Sequence, residues 1–429
     1  MSKITVNLSK SIKPMKPMHA GGQPPILGAS DIMFHYLTEA GIPYSRLHDV
    51  GGAFGSNRFV DIPNIFRDFD ADENDPANYD FTFTDHLVNN LVKANVEPYF
   101  RLGVTIENQC AIKSYYIYPP KDYAKWARIC EHIIMHYTEG WANGFNHKIT
   151  YWEIWNEPEN TQMWQGTAEQ YYELYDVAAK YLKSRFPHLK FGGYASCGFY
   201  AIAPIKDEDP SAGNHAWHEM LVEFFHGFMK YIKDHNSPID FFSWHSYAST
   251  ERTVKMDAWL HKQLSDYGYA GLETHLNEWD PYAEERGTAH HSAEVAAMMI
   301  ALQHGYTDMC CIYDMRATYG VYTPLFSTET QKPRTAYYSM VAFNRLYRLG
   351  MQIDAVCDTD RLYTLAASNG KKHALMISNL TGSDLTLTIE GANLSDAYFY
   401  VLNQDKLLSW APNAGIIGDN DVVLVEWSE

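Results

Sequence analysis

From about residue 25 to residue 345 the chain alternates short strand-like runs with amphipathic stretches, and this restricts the fold more than any other feature. The strand-like runs are Tyr44–Asp49, Val96–Gly103, Ile149–Trp155, Phe191–Ala195, Asp240–Tyr247, Glu273–Trp279 and Met309–Asp314. Between them, apolar residues recur at helical spacing over Ile32–Ala40, Thr84–Ala94, Tyr123–Thr138, Ala168–Arg185, Ala216–Asp234, Ala258–Tyr267 and Ala293–His304. A weaker run within Ser11–Ala20 supplies a first strand. Eight strands with intervening helices predict an α/β fold of the (β/α)8 barrel type, with a doubly wound open sheet as the alternative. After Leu349 the pattern changes to short alternating runs, such as Leu362–Ala367 and Ala374–Asn379, broken by turn signals such as Asn369-Gly370. These predict a C-terminal antiparallel β-sandwich. The expected division is a barrel over 10–348 and a sandwich over 349–429, to which Ile4–Leu8 within 1–9 adds a strand.

Two strand ends carry the chemistry. In Trp152-Glu153-Ile154-Trp155-Asn156-Glu157-Pro158 a buried-type strand runs into a proline, which cannot donate to a ladder. Asn156 and Glu157 therefore belong at the strand's C-terminal end, the rim where barrels place catalytic groups. Leu276-Asn277-Glu278-Trp279-Asp280-Pro281 repeats the arrangement about three βα units later. The two acids fall on the fourth and seventh strands, across the barrel mouth from each other. Two facing carboxyls suit the cleavage of a glycosidic bond. The leaving oxygen needs a proton, and the oxocarbenium-like carbon needs an anionic partner.

This pattern resembles the glycoside hydrolases of clan A, and within it family 39, which holds β-xylosidases and α-L-iduronidase. Arg46-Leu47-His48-Asp49 is similar to that family's second strand, Gly192-Gly193 to its fifth and Phe242-Ser243-Trp244-His245-Ser246-Tyr247 to its sixth. Tyr313–Tyr322 is a looser match to its eighth strand and loop. The resemblance implies a retaining hydrolase, with Glu157 as acid/base and Glu278 as nucleophile. It implies that Tyr247 hydrogen-bonds Glu278, that His245 lines the sugar pocket, that Asn156 reaches the sugar 2-OH and that His48 meets the far hydroxyls. A core role is the alternative for His48, His245 and Tyr247. Trp279 reads either as a sugar platform or as core, and Asp314 and Arg316 as subsite candidates. Arg46 and Arg101 sit in strand-like runs, where an arginine either pairs with Glu153, steadies Glu278 or snorkels outward. The implied substrate is a β-xyloside or a short plant-type oligosaccharide. β-Galactoside, β-glucoside and arabinose-releasing activities are the alternatives within the clan. The resemblance also implies a homo-oligomer.

Composition narrows the partners. The formal charge of −18 argues against nucleic acid and anionic membranes, while a neutral glycan tolerates it. Aromatics reach 14%, which suits either a large core or a site that stacks sugars. Cys110, Cys130, Cys197, Cys310, Cys311 and Cys357 form no CxxC pair, and the N-terminus has no apolar signal core. Both features predict reduced thiols and a cytoplasmic location. Gly21-Gly22, Gly51-Gly52 and Gly192-Gly193 lack a nucleotide-loop context, so no cofactor is expected. No metal is expected either. A metal-dependent hydrolase, suggested by His215, His245 and His275, would need an early HxH pair that is absent. A second rival, a non-catalytic glycan-binding barrel, sits poorly with two intact strand-end glutamates. Finally, the long segment Val50–Asp80 follows the second strand and so belongs on the catalytic face. Its acidic run suggests a Ca²⁺ loop only weakly, because the glycine-centred spacing is missing.

Overall fold

The computed structural model describes residues 2–26, 33–50, 59–105, 116–204, 214–317, 322–413 and 415–428. Eight parallel strands close into a barrel. In order they are Ala20–Gly21, Tyr44–Leu47, Glu97–Leu102, Tyr151–Ile154, Lys190–Ser196, Phe241–Ser246, Glu273–Trp279 and Met309–Ile312. Helices pack around them. Tyr123–Thr138 and Ala168–Arg185 have the bounds that their periodicity predicts. The second of these opens on a capping box, with Thr167 and Gln170 satisfying each other's backbone N–H.

Three differences from the sequence reading have simple causes. The first barrel strand is only Ala20–Gly21, paired to Ser45 on one side and to Cys311 and Ile312 on the other. Residues 11–14, read above as part of it, instead complete a long strand, Ser2–Pro14, that pairs with Met351–Cys357. Its alternating burial over residues 2–7 is the signature of a half-buried antiparallel strand. A last helix, Thr335–Tyr347, went unread because its apolar positions are interleaved with Ser, Asn and Arg.

The remaining strands form one nine-stranded sheet, antiparallel except where Ser2–Thr5 runs parallel to Leu387–Glu390. It makes a sandwich-like second domain. One face packs on the barrel through residues such as Met376 and Leu424, which join the main core. The other encloses a separate core around Ile4, Leu375, Val425 and Trp427. Cys130, Cys197, Cys310, Cys311 and Cys357 are all free thiols, and Cys110 lies outside the described residues. Among the described residues no helix is long and apolar enough to cross a membrane.

Candidate active site

The fourth strand ends at Ile154, and the chain then takes two left-handed residues, Trp155 at φ +75° and Glu157 at φ +45°. Non-glycine residues rarely adopt this region, and such strain gathers where surrounding structure enforces a special side-chain direction. Here the enforcing contacts are visible. The indole of Trp155 is buried and donates to the Met163 carbonyl at 3.0 Å. The Glu157 backbone N–H is shared between the carbonyls of Tyr194 and Ala195 at the end of the fifth strand. Glu157 is thereby turned toward the barrel axis, with its side chain 17% exposed.

Glu278 comes from the seventh strand and is 7% exposed at the side chain. A carboxylate oxygen of Glu157, one of Glu278 and a ring nitrogen of His245 all lie within 4.8 Å of one another. His245, on the sixth strand, places Nδ1 2.7 Å from Glu157 Oε1 and 3.6 Å from Glu278 Oε2. Burial disfavours the imidazolium, yet the charge of Glu278 and the hydrogen bond to Glu157 outweigh it, and the His245 pKa rises. For Glu157, burial pushes the carboxyl up. The hydrogen bond and charge of His245, with help from Asn160 and the Cys197 thiol, more than offset that and hold it below its usual range.

Two groups hold Glu278 from opposite sides. The phenol of Tyr247 donates to Oε2 at 2.9 Å, and Arg46 Nη1 donates to Oε1 at 2.7 Å. Burial, then the charge of Glu278, pushes the Tyr247 pKa far up, so the phenol stays a donor. Arg46 is fully buried and joins three residues. It donates through Nε to Glu153 Oε2 at 2.7 Å and through Nη2 to Asn156 Oδ1 at 2.6 Å, as well as to Glu278. Glu153 is completed by Ser243 Oγ at 2.6 Å and Asn277 Nδ2 at 2.5 Å. A buried arginine needs such full pairing.

Arg101 is the second inward arginine, but it pairs elsewhere. Its Nη2 donates to Asp61 at 2.6 Å and its Nε to His48 Nδ1 at 3.2 Å. The expectation that it pairs with Glu153 or Glu278 is therefore corrected. The long segment after the second strand supplies its partner, since Asp61 also accepts from Thr105 N and Oγ1. Because His48 Nδ1 accepts, its proton sits on Nε2, 3.2 Å from Asp49 and 3.7 Å from Glu278. Burial, then Arg46 and Arg101, keeps His48 neutral.

The other sequence candidates divide. Asp314 is fully buried and gives its carboxylate to Arg316, through Nε at 2.8 Å, Nη2 at 2.7 Å and the backbone N–H at 2.8 Å. Burial raises Asp314 to about 6 against the opposing charge of Arg316. Arg316, 16% exposed, is the reachable member of the pair. Trp279 is corrected. It is fully buried in the main core, because strand neighbours point to opposite faces and Glu278 takes the inward one. Two other acids of the long segment pair with cations. Asp70 meets Lys121 at 3.0 Å, and Glu73 meets Arg128 at 2.7 Å and Lys125 at 3.3 Å. His215 is exposed beside Glu219, and His275 is buried against Tyr99, so neither joins His245.

Sequence reasoning missed several residues here. Tyr313 donates to Asp49 Oδ2 at 2.5 Å and accepts from Gln23 Nε2. Tyr313, Tyr322 and Tyr247 form an aromatic wall, with ring centres 5.1 to 6.3 Å apart. Asp49 and Tyr313 lay at strand ends, which was the available signal. Glu159 is 6% exposed, accepts from the Cys197 N–H at 2.7 Å through one oxygen and leaves the other without a partner. Burial first, and the charge of Glu157 in addition, pushes it up to about 8. It directly follows Pro158, beyond the strand end that the sequence pattern marks.

The sequence model of Glycosyl hydrolases family 39 matches residues 39–280, just over half the chain and both facing acids. The chain belongs to glycosyl hydrolase family 39. Among relatives of this family-39 chain is a beta-xylosidase of Geobacillus stearothermophilus, 28% identical over 227 residues, which are 51% of this chain and 39% of that protein. A beta-xylosidase of Caldicellulosiruptor saccharolyticus is 26% identical over 185 residues, 41% of this chain and 33% of the relative. Each match thus spans less than half the relative's own length. Among solved structures, a glucosidase from Croceicoccus marinus superposes with a TM-score of 0.78 at 20% identity, covering 100% of this chain and 99% of that one. A monomeric beta-xylosidase from Caulobacter crescentus gives 0.70 at 16% identity, with 100% and 99% covered. These two establish the fold, barrel and second domain together.

Proposed function

We propose that this family-39 chain is a retaining glycoside hydrolase that cleaves β-xylosidic bonds in short plant-type oligosaccharides. One observation carries the reading: carboxylate oxygens of Glu157 and Glu278 lie within 4.8 Å of each other across the barrel mouth. Retaining enzymes hold their two carboxyls about 5–5.5 Å apart, whereas inverting ones leave roughly 6.5–9.5 Å for a water. Glu278 attacks the anomeric carbon, and a covalent glycosyl–enzyme forms as the aglycone oxygen takes the proton of Glu157. Glu157 then removes a proton from water, which attacks the same carbon and releases Glu278. Arg46 and Tyr247 orient the attacking carboxylate and share its charge. Arg46 holds Asn156 Oδ1, which leaves the amide nitrogen to donate to the sugar 2-OH. Neutral His48, Asp49 and Arg316 supply polar contacts for the far hydroxyls. The reading needs no cofactor.

The β-xyloside assignment draws on the two beta-xylosidase relatives. A panel of nitrophenyl glycosides tests it: the β-xyloside should show the highest kcat/KM, with β-glucoside, β-galactoside and α-L-arabinoside lower. Proton NMR of a fresh digest should show β-xylose before mutarotation. Release of the α-anomer first would overturn double displacement. Loss of less than about tenfold in Glu278→Gln would overturn the nucleophile assignment.

A further inference from the structure

The second domain carries a row of aromatic side chains that the barrel site does not use. Strand Tyr398–Leu402 pairs with the edge strand Ser409–Ala411, and Tyr400 lies directly opposite Trp410. Tyr398 is two residues from Tyr400, so all three side chains stand on one face. Trp410 is 64% exposed and Tyr398 59%. Rings this open forgo burial that the same sheet gives to Trp427, which is 4% exposed.

Polar groups surround the row. Across the next strand Tyr398 faces Glu426. Arg345, from the last barrel helix, lies over the Tyr400 ring at 4.6 Å and pairs with Glu426 at 3.0 Å. A cavity of about 480 Å³ opens beside Tyr398, and Lys372, His373, Asp396 and Glu426 help line it. His373 helps line the cavity only from the strand edge, since its ring stacks on Trp427 on the opposite face of the sheet.

We propose that this face is a non-catalytic binding strip for a neutral, β-linked polysaccharide chain. The proposal rests on the glycosidase reading for the identity of its ligand. Pyranose rings present flat C–H faces to aromatic rings and hydroxyls to the polar rim. Tyr398 and Trp410 are the open rings of the row, because Arg345 covers that of Tyr400. The rim carries Arg345 and Lys372 against Glu426 and Asp396, so its charges cancel and complement an uncharged ligand. A protein partner would favour a contact whose centre is depleted of charge.

The test is affinity electrophoresis of the full chain in gels containing soluble xylan, with mixed-linkage β-glucan and galactan gels alongside. Wild type, Trp410→Ala, Tyr398→Ala/Trp410→Ala and Trp410→Phe are compared. The double variant should lose at least tenfold in apparent affinity, and Trp410→Phe, which keeps a ring face, should retain most of it. Hydrolysis of nitrophenyl β-xyloside should stay within twofold in all four. Retention unchanged in the double variant, or absent from wild type on all three polysaccharides, overturns the strip. A shift from dimer to monomer on sedimentation of the double variant also overturns it, by making the row a self-association contact. Ring-dependent retention in a chain that turns over no glycoside would sink the catalytic reading and leave the strip standing.

Discussion

His245 Nδ1 lies 2.7 Å from Glu157 Oε1, so the catalytic acid of the proposed mechanism is ion-paired before any substrate arrives. Glu157 must carry a proton when the aglycone leaves, and the Glu157–His245 pair holds that proton between them. Removing the imidazole leaves burial unopposed by a cation, so the Glu157 pKa should rise. In His245→Gln the alkaline limb of the kcat/KM profile is therefore expected at higher pH than in wild type. At the optimum, kcat/KM should fall about 10- to 100-fold, the rate equivalent of a charge-assisted hydrogen bond of roughly 1.5–3 kcal/mol. A limb that stays in place would separate His245 from proton delivery. An aryl xyloside with a poor leaving group is the right substrate, because it depends most on the acid.

Tyr247→Phe removes a single hydroxyl, the one donating to Glu278 at 2.9 Å. The ring still packs near Tyr313 and Tyr322, so the fold should hold. Formation of the glycosyl–enzyme should slow by roughly 10- to 100-fold, since the donor orients the nucleophile at the moment of attack. Rapid-quench kinetics on a dinitrophenyl xyloside reads this step directly. Equal rates in the two proteins would reduce Tyr247 to a wall of the pocket.

The positions of both acids were legible in the sequence because strand period, proline and rim topology all act locally. Asn-Glu-Pro after a buried-type run leaves few places for the glutamate, and the barrel brings residues 157 and 278 together. Contacts that join distant segments were not legible. Nothing near Arg101 in the chain points to Asp61, which arrives from the long segment after the second strand. Trp279 shows the opposite failure. Alternation with Glu278 already put Trp279 on the outward face, although a register shift between Leu276 and Trp279 lets Asn277 and Glu278 both reach the Arg46–Glu153 cluster. Glu159 was hidden because burial, the property that sets its behaviour, comes from a distant segment, the chain just after the fifth strand, where the Cys197 N–H meets its carboxylate.

Glu159 gives a stability prediction whose sign follows from linkage. Its carboxyl is pushed up to about 8 in the folded chain, against about 4.3 when unfolded. Between those values the native state keeps a proton that the unfolded chain has lost. Native stability should therefore fall as pH rises through this window. The neutral isostere in Glu159→Gln does not titrate, so the variant should gain on wild type from pH 5 to pH 8, by up to roughly 4 kcal/mol. Chemical denaturation at the two pH values measures the difference. A constant gap would mean that Glu159 is ionised in the native protein.

The convergence of Glu157, His245 and Glu278 within 4.8 Å also makes a three-donor set of the kind zinc accepts. The proposed mechanism uses both carboxylates on carbon and on a proton, so an ion bound there would occupy the machinery instead of assisting it. Added Zn²⁺ is expected to inhibit, xylose should compete with it, and the effect should weaken at low pH as protons displace the metal from His245 and the glutamates. Treatment with EDTA followed by desalting should leave kcat unchanged. The decisive contrary result is loss of activity on chelation with full recovery on stoichiometric zinc. That would show a metal-activated water attacking the glycoside, and the closeness of the two acids would then reflect ligation instead of double displacement.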